Sequence, residues 1–406
     1  MIIALVLGVL AGVLLPTSLI SSEIVAFIGK IFTSTILYLT PFFIIIKTYL
    51  GFLELKKHNN MLITTGIFLG FLIISSLISG FISICLMNMS IFQISAQTVV
   101  TQISDMPIEA QSLQGLLGLV LTDNMFNVFI NSGNFILPFI FIGLLFGLGS
   151  YYADKKGLYF VETIESLDAV LSQIVRQVME FFPIGAIFII AYSIKTDLNN
   201  MMNTTLIYKT LASVIVIGLI IVLFYTLYLY ILLKKDFYKF YLGFLGAGLM
   251  GFITGTPMST VIPLNKHINK NLGVDPEIAD SLTPLGVVFN KSGTIIVSAV
   301  SIMMILSIYS NSKPSFSFQM LILVFLMLSS LLLDGTGISG FLVLISMVLG
   351  IDSLKLEQNS YLLLIPSIPI LSRIGILIDT LSTAIFVLTT AKIRNKIKTP
   401  RYIDTI

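Results

Sequence analysis

Tryptophan is absent from these 406 residues, cysteine occurs once, histidine twice, and charged residues make up only 11% of the chain. Each scarcity excludes something. A single cysteine, Cys85, cannot form a disulfide framework, and with only His58 and His267 beside it no Cys/His metal cluster can assemble. So few charges leave no solvated face for a soluble domain, and a net charge of +3 points to no nucleic-acid partner. Without tryptophan, interfacial anchoring falls to the 15 tyrosines and to phenylalanine. What fills the chain instead is apolar: 56% of residues are hydrophobic and the mean hydropathy is +1.01. Apolar segments of about 20 residues, long enough to cross a roughly 30 Å hydrocarbon layer, recur almost to the C-terminus. An all-α polytopic membrane protein follows, with the lipid bilayer as its solvent and no soluble domain. Met1 to Pro16 has no basic n-region and no small-residue cleavage motif, so it is expected to be a retained first helix.

Basic residues cluster at Lys56 and Lys57, Lys155 and Lys156, Lys234 to Lys239, Lys266 and Lys270, and from Lys392 through Arg401. The positive-inside rule places all of these, and the C-terminus, on the cytoplasmic side of the cell membrane. Between the first three clusters lie pairs of apolar stretches, which make ordinary hairpins with polar outer loops at Ser90 to Gln114 and Lys195 to Thr204. Between Lys239 and Lys266 there is only one apolar stretch, so a full crossing would strand one cluster outside. It is therefore expected to dip in and return, broken at "TGTPMSTVIP" (Thr254 to Pro263). Parity fails again between Lys270 and Lys392, where three apolar stretches (278–309, 317–350, 359–391) require one to be re-entrant. The stretch carrying "DGTGISG" (Asp334 to Gly340) is the best candidate. Two interrupted segments in corresponding positions of two halves are the mark of a secondary transporter built on inverted repeats. The G-x-G-x-x-G spelled by Gly335, Gly337 and Gly340 is not a dinucleotide fingerprint, because no βαβ unit fits inside an apolar membrane segment.

Several ordered motifs now stand together: "LVLGVLAGVLLP", "GKIFTSTILYLTPFF", "LTDNMFNVFINSGNFILPFIFIGLLFGL", "FFPIGAIFIIAY", "LGVDPEIADSLTPLG", "NKSGT", "GTGISGFLVL" and "IDTLSTAIFV". In this order they resemble the dicarboxylate/amino acid:cation symporter family, the glutamate transporter homologues, across nearly the whole chain. The resemblance implies eight transmembrane helices plus two re-entrant helical hairpins in an elevator fold, assembled as a homotrimer. It implies scaffold helices one and two in residues 1–58 and a third helix of the moving domain in 59–89. Scaffold helices four and five follow in 90–204. The rest of the transport domain fills 205–406: helix six, hairpin one at about 238–275, helix seven at about 278–309, hairpin two at about 317–351 and helix eight at about 359–392.

Family members bind sodium with oxygen ligands and hold an acidic amino acid through an arginine and an aspartate of the last helix. The resemblance carries an ion site onto Asn290, Lys291, Ser292, Thr294 and Asp379. Here the family's methionine is Lys291 and one sodium-binding aspartate is Ser292, while Gly375 stands for an asparagine. The substrate arginine and aspartate fall at Leu371 and Ile368, so both substrate charges are gone. Arg373 lies two residues away, about 200° round a helix. A lone ammonium at the depth of Lys291 costs on the order of 3 kcal/mol and needs a partner, for which Asp379 is the expected carboxylate. A Lys/Asp pair carries the same net charge as a carboxylate holding Na⁺. Three readings stay open: a functional replacement of sodium, an ion pair that only fixes packing, and a shift of the motif's alignment at Lys291. No cofactor is expected; a proton is a coupling ion open to such a pair, and sodium is the less expected one.

The substrate-site candidates are Thr256, Ser259 and Thr260 of the first hairpin, Asp334, Gly335 and Gly337 of the second, and Arg373. Asp334 is equally placed to cap a half-helix, and the hairpin hydroxyls to satisfy broken backbone. Lys47 is expected to snorkel to an interface, and His267, flanked by Asn265 and Lys266, to be solvated at the cytoplasmic face. Elevator transport of a small organic solute is the leading expectation, an amino acid or organic acid other than glutamate or aspartate bound in the usual way. A non-transporting receptor or assembly protein, or an uncoupled exchanger, on the same fold is the alternative. No nucleophile with a base, metal cluster or phosphate loop suggests an enzyme.

Overall fold

The computed structural model describes residues 2–16, 23–57, 61–89, 137–200, 205–234, 237–309, 314–332 and 367–398, together with Leu364. Among these residues the chain is helical almost throughout. The helices are α1 (Ile2–Leu14), α2 (Glu23–Lys57), α3 (Met61–Met87), α4 (Leu137–Ala153), α5 (Leu158–Asn200) and α6 (Thr205–Leu233). They continue with α7 (Phe237–Thr254), α8 (Val261–Lys266), α9 (Pro276–Phe289), α10 (Ser292–Tyr309), α11 (Phe316–Leu332) and α12 (Ile368–Ile393). Among the described residues, seven stretches are long and apolar enough to cross a membrane. Lys195 to Asn200, expected in an outer loop, continue α5 without a break. The second hairpin's tip, with Asp334, Gly335 and Gly337, lies outside the described residues.

Helices persist here because an unbonded backbone group in hydrocarbon costs several kcal/mol and an α-helix satisfies all of them within the segment. Hydroxyl residues in these helices turn inward to the same end. Thr40, Thr48 and Ser83 each donate to the carbonyl four residues back, at 2.7, 2.6 and 2.7 Å. Their polar atoms thus need no partner from lipid.

Burial divides the helices into two kinds. Over their most apolar 18 residues, the α9–α10 segment is 89% buried and α12 is 83% buried, whereas α6 is only 28% buried. Hence α9, α10 and α12 form the centre, with α3 and α6 packed around them. The stripe of Leu219, Leu223, Leu227 and Ile231 on α6 faces outward, as a lipid-contacting face does. A second group is built on α2, which packs along both α4 and α5, while α1 packs on α5.

The centre is held by a close crossing. A methyl group added to Gly293 would lie 2.1 Å from the Gly375 carbonyl oxygen, so α10 and α12 touch backbone to backbone. At Gly375 the same methyl would meet nothing nearer than 3.5 Å.

At the other end of the centre, the chain after α12 straps back onto the turn before α9. Val274 and Ile397 form an antiparallel bridge, with Asp275 N–H to the Lys396 carbonyl at 3.0 Å and Lys398 N–H to Gly273 at 2.8 Å. Lys396 pairs with Glu277 at 2.6 Å and Lys398 with Asp275 at 2.7 Å. The Glu277 carboxylate, through its hydrogen bond and its charge, holds the Lys396 ammonium above the usual 10.5. A raised folded-state value means that this contribution is complete below the unfolded value and is lost as the pH climbs through the raised one.

Gly293→Ala is expected to lower the thermal midpoint by an amount equivalent to about 1–3 kcal/mol, the usual cost of overpacking. Gly375→Ala, with ordinary contact distances, should leave it nearly unchanged. Equal losses in a thermal denaturation of the two variants would refute this description of the crossing.

Candidate ion and substrate site

The stretch expected to carry Lys291 inside a continuous helix instead breaks there. α9 ends at Phe289 and α10 begins at Ser292, leaving Asn290 and Lys291 unwound, with Asn290 extended at φ −82° and ψ 115°. Asn290 replaces the lost helical contacts from its side chain. Its Nδ2 donates toward the Asp379 carbonyl (2.8 Å), Ser382 Oγ (2.6 Å) and Thr383 Oγ1 (3.0 Å) of α12. Its Oδ1 accepts from Ser292 Oγ at 2.9 Å. Ser292 Oγ in turn lies 2.8 Å from Ser75 Oγ of α3, which lies 2.6 Å from the Tyr225 hydroxyl of α6. The Lys291 N–H donates to Ser76 Oγ at 3.3 Å, and its carbonyl accepts from Ile295 at 2.8 Å. One polar network therefore ties α3, α6, α10 and α12 at the break.

Asp379 faces the first turn of α10. Gly293 N–H donates to Oδ1 at 2.7 Å, and Thr294 gives both its N–H (3.2 Å) and its hydroxyl (2.6 Å) to Oδ2. A carboxylate is favoured there by the positive end of the helix. These donors hold the carboxylate against the first turn of α10. Lys291, only 3% exposed, and Asp379 line one cavity of about 10 Å³ together with Pro257, Thr260, Val287 and Thr380. That is space for about one water molecule or a bare ion.

Thr260 brings the first hairpin to the same cavity. α7 ends at Thr254, Gly255 turns the chain at φ +67°, and Thr256 is extended before a 3-10 turn, Pro257–Thr260, that leads into α8. The positive φ is open to glycine at no steric cost. Beyond α8 a π turn, His267–Asn271, completes an arm that returns beside the start of α7, since His267 and Asn271 crowd Gly243. Ser259 Oγ donates to the Thr256 carbonyl (2.8 Å) and lies 2.5 Å from Thr254 Oγ1; Thr260 Oγ1 donates to the Pro257 carbonyl (2.7 Å). These two hydroxyls serve the broken backbone. Thr256 Oγ1 is shielded from solvent and has no hydrogen-bond partner among the described residues. Arg373, half-buried on α12, runs past this tip: its Nε and Cγ lie about 3.5 Å from where a Gly255 Cβ would stand. Its Nη2 donates to Ser193 Oγ of α5 at 2.8 Å. Leu371 and Ile368 are fully buried.

Two expectations fail in the same region. His267 is not solvated; it is 0% exposed between Phe240 and Phe244, with Nδ1 3.2 Å from Asn271 Nδ2, because the π turn folds it under the hairpin. Lys47 does not snorkel. Its Nζ sits 2.9 Å from Asp168 of α5 and 3.4 Å from Asp280 of α9, with 13% of the side chain exposed. Asn265 of α8 donates to the other Asp280 oxygen at 2.9 Å. One turn further along α2, Gly51 meets Ser281 so closely that a methyl group would lie 2.5 Å from its nitrogen. Neither Asp168, Asp280 nor Asn265 was singled out by sequence, and neither were Ser75, Ser76 and Tyr225. The signals were present as a lone aspartate inside the apolar "DSLTPLGVVF" and a serine pair in "IISSLISG".

The sequence pattern of the sodium:dicarboxylate symporter family matches residues 1–393. The chain belongs to that family. It is 25% identical over 249 residues to a C4-dicarboxylate transport protein of Bacillus subtilis (strain 168), covering 60% of this chain and 56% of the relative. It is also 25% identical over 242 residues to a protein of the same name from Yersinia pestis (strain Pestoides F), covering 57% and 53%. The chain thus spans about half the length of the curated relatives it matches. For a sodium:dicarboxylate symporter family member, the expected non-enzymatic, membrane-embedded character agrees with the family.

Removing only the cation from the α2–α5–α9 cluster would leave two carboxylates facing each other. Lys47→Met should therefore cost about 3–5 kcal/mol, read as a fall in thermal midpoint. Adding Asp168→Asn and Asp280→Asn to it should recover most of the loss. A single variant as stable as the parent would show that the cluster is not a paired, desolvated one.

Proposed function

We propose that this protein is a secondary transporter that carries a small carboxylate solute, of the dicarboxylate class named for its relatives, through an elevator-type movement. The moving body is α3, α6, the α7–α8 hairpin, α9, α10 and α12, and the static one α1, α2, α4 and α5, with the hairpin re-entrant in the bilayer. Polar contacts between the bodies include Lys47 to Asp280 and Arg373 to Ser193, beside the close packing of Gly51 on Ser281, and all must part when they slide.

The reading rests on one observation. A permanently tethered ammonium, Lys291, and the family's ion-site carboxylate, Asp379, line the same small cavity directly beneath the hairpin tip. In this proposal the lysine nitrogen takes the place of a sodium ion, and Ser292, already bonded to Asn290 and Ser75, needs no cation of its own. The solute then lies between Thr256, whose shielded hydroxyl has no partner among the described residues, and Arg373. An arginine at the hairpin tip favours a carboxylate, because a buried anion needs an opposite charge.

Uptake of a C4 dicarboxylate into proteoliposomes should proceed without added sodium. Lys291→Met combined with Ser292→Asp should make it sodium-dependent, and Arg373→Gln should raise KM about 10- to 100-fold, the equivalent of a lost charge-assisted hydrogen bond. Sodium-stimulated uptake by the parent protein would overturn the cation replacement. No uptake of any carboxylate would overturn the transport reading itself.

A further inference from the structure

Arg373 reaches from one group of helices to the other, and both supports of that reach are firm. It stands on α12 between Leu371, which is fully buried, and Gly375, which meets Gly293 at the close crossing. Ser193, its acceptor, stands on a stretch of α5 that is held from two sides. A methyl group on Gly8 or Gly12 of α1 would lie 2.8 Å from Ile190 Cβ or 3.0 Å from Ile194 Cβ, and one on Gly29 of α2 would lie 3.2 Å from Ile189. The 2.8 Å bond from Arg373 Nη2 to Ser193 Oγ thus joins two closely packed helices.

The same guanidinium borders the proposed solute position. Nε and Nη2 share the edge that a carboxylate can grip with two parallel bonds. Here Nε lies beside the Gly255 turn of the hairpin tip, while Nη2 is bonded to Ser193. A carboxylate arriving on that edge is an ionised, two-pronged acceptor, stronger than one neutral hydroxyl, and it competes with Ser193 for Nη2. Lys47 differs in this respect. Its bonds to Asp168 and Asp280 involve neither the tip nor the cavity beneath it, so they restrain a loaded and an unloaded carrier alike.

We propose that Ser193 is a latch for the unloaded carrier: it holds Arg373, and with it α12, against α5 until a bound carboxylate takes Nη2 and releases the helix. The proposal rests on the transport reading above and adds the mode of transport. A carrier released only when loaded returns quickly only with a second solute. It therefore exchanges one carboxylate for another faster than it moves one net. Ser193 is a positioning residue here, acting on the cycle through Arg373 and not on the solute directly.

Uptake of labelled succinate should be compared in proteoliposomes preloaded with unlabelled succinate and in empty ones. A hydrogen bond to a charged group corresponds to roughly 10- to 150-fold in rate, so preloading should accelerate uptake by the parent protein at least about tenfold. Ser193→Ala should bring the ratio of the two rates close to one by speeding the empty return, whereas Ser193→Thr, which keeps the hydroxyl, should preserve it. Exchange by the alanine variant shows that it is folded, so a lowered ratio is not damage. Equal rates for the parent in the two kinds of vesicle, or an unchanged ratio in Ser193→Ala, would refute the latch and leave the transport reading standing. Absence of uptake in both kinds would remove that reading and the latch together.

Discussion

Everything at the centre depends on the bond set between Asp379 and the first turn of α10. A helix broken inside hydrocarbon exposes carbonyls and N–H groups that no solvent will satisfy. Here Asp379 receives Gly293 and Thr294 while Asn290 reaches across to the Asp379 carbonyl, Ser382 and Thr383. Both sides of the break are thus served by one turn of one neighbouring helix. That is possible only because Gly293 lets the α10 backbone lie against Gly375. Gly293 is not a flexible joint; its missing side chain sets the distance at which a carboxylate can replace helical hydrogen bonds.

The same economy explains why polar residues in this chain occur where elements cross. Tyr225, Ser75, Ser292 and Asn290 form a chain of contacts from α6 through α3 to the break. Lys47, Asp168, Asp280 and Asn265 do so where α2 and α5 meet α9 and α8. In a low-dielectric interior such groups are retained when every member is satisfied and become costly when one is removed. The first network lies within one group of helices, and the second joins the two groups. On the proposed reading the two groups slide past each other, and an ion pair with discrete partners then favours defined positions over a continuum.

The break after Thr254 was legible, because "TGTPMSTVIP" carries the glycine and proline that end a helix. The break at Asn290 was not legible, since "FNKSGT" contains no proline and its lysine reads as an ordinary intramembrane charge; what opens the helix is the acceptor set on α12, some 90 positions away. Lys47 failed for a related reason. Its partners are 121 and 233 residues distant, and snorkelling is the sensible expectation for a lysine whose partners are unseen. His267 sits beside Lys266 and Asn265 in sequence, and solvation was the natural reading of that neighbourhood. A π turn rotated it under two phenylalanines instead. Patterns of composition find elements; pairings across long separations decide which face of an element is inside.

On the proposed reading, tethering the cation changes the energetics of the cycle. A carboxylate that exchanges sodium with solution must cross the bilayer either loaded or bare, and the bare crossing is opposed by several kcal/mol of desolvation. That penalty is what links solute movement to the ion. With Lys291 beside Asp379 the site is compensated whether or not solute is present, so the empty carrier meets no such barrier from this pair. An ion gradient then has no hold on the pair, since a ligand shifts an equilibrium only through its different affinity for the two states. Exchange or facilitated movement follows from a fixed pair, and concentrative movement requires a charge to enter and leave elsewhere. Arg373, which touches the hairpin tip and Ser193 rather than the ion cavity, is the group whose electrostatic state a carboxylate solute would alter on binding. The driving charge is therefore best sought in the solute itself.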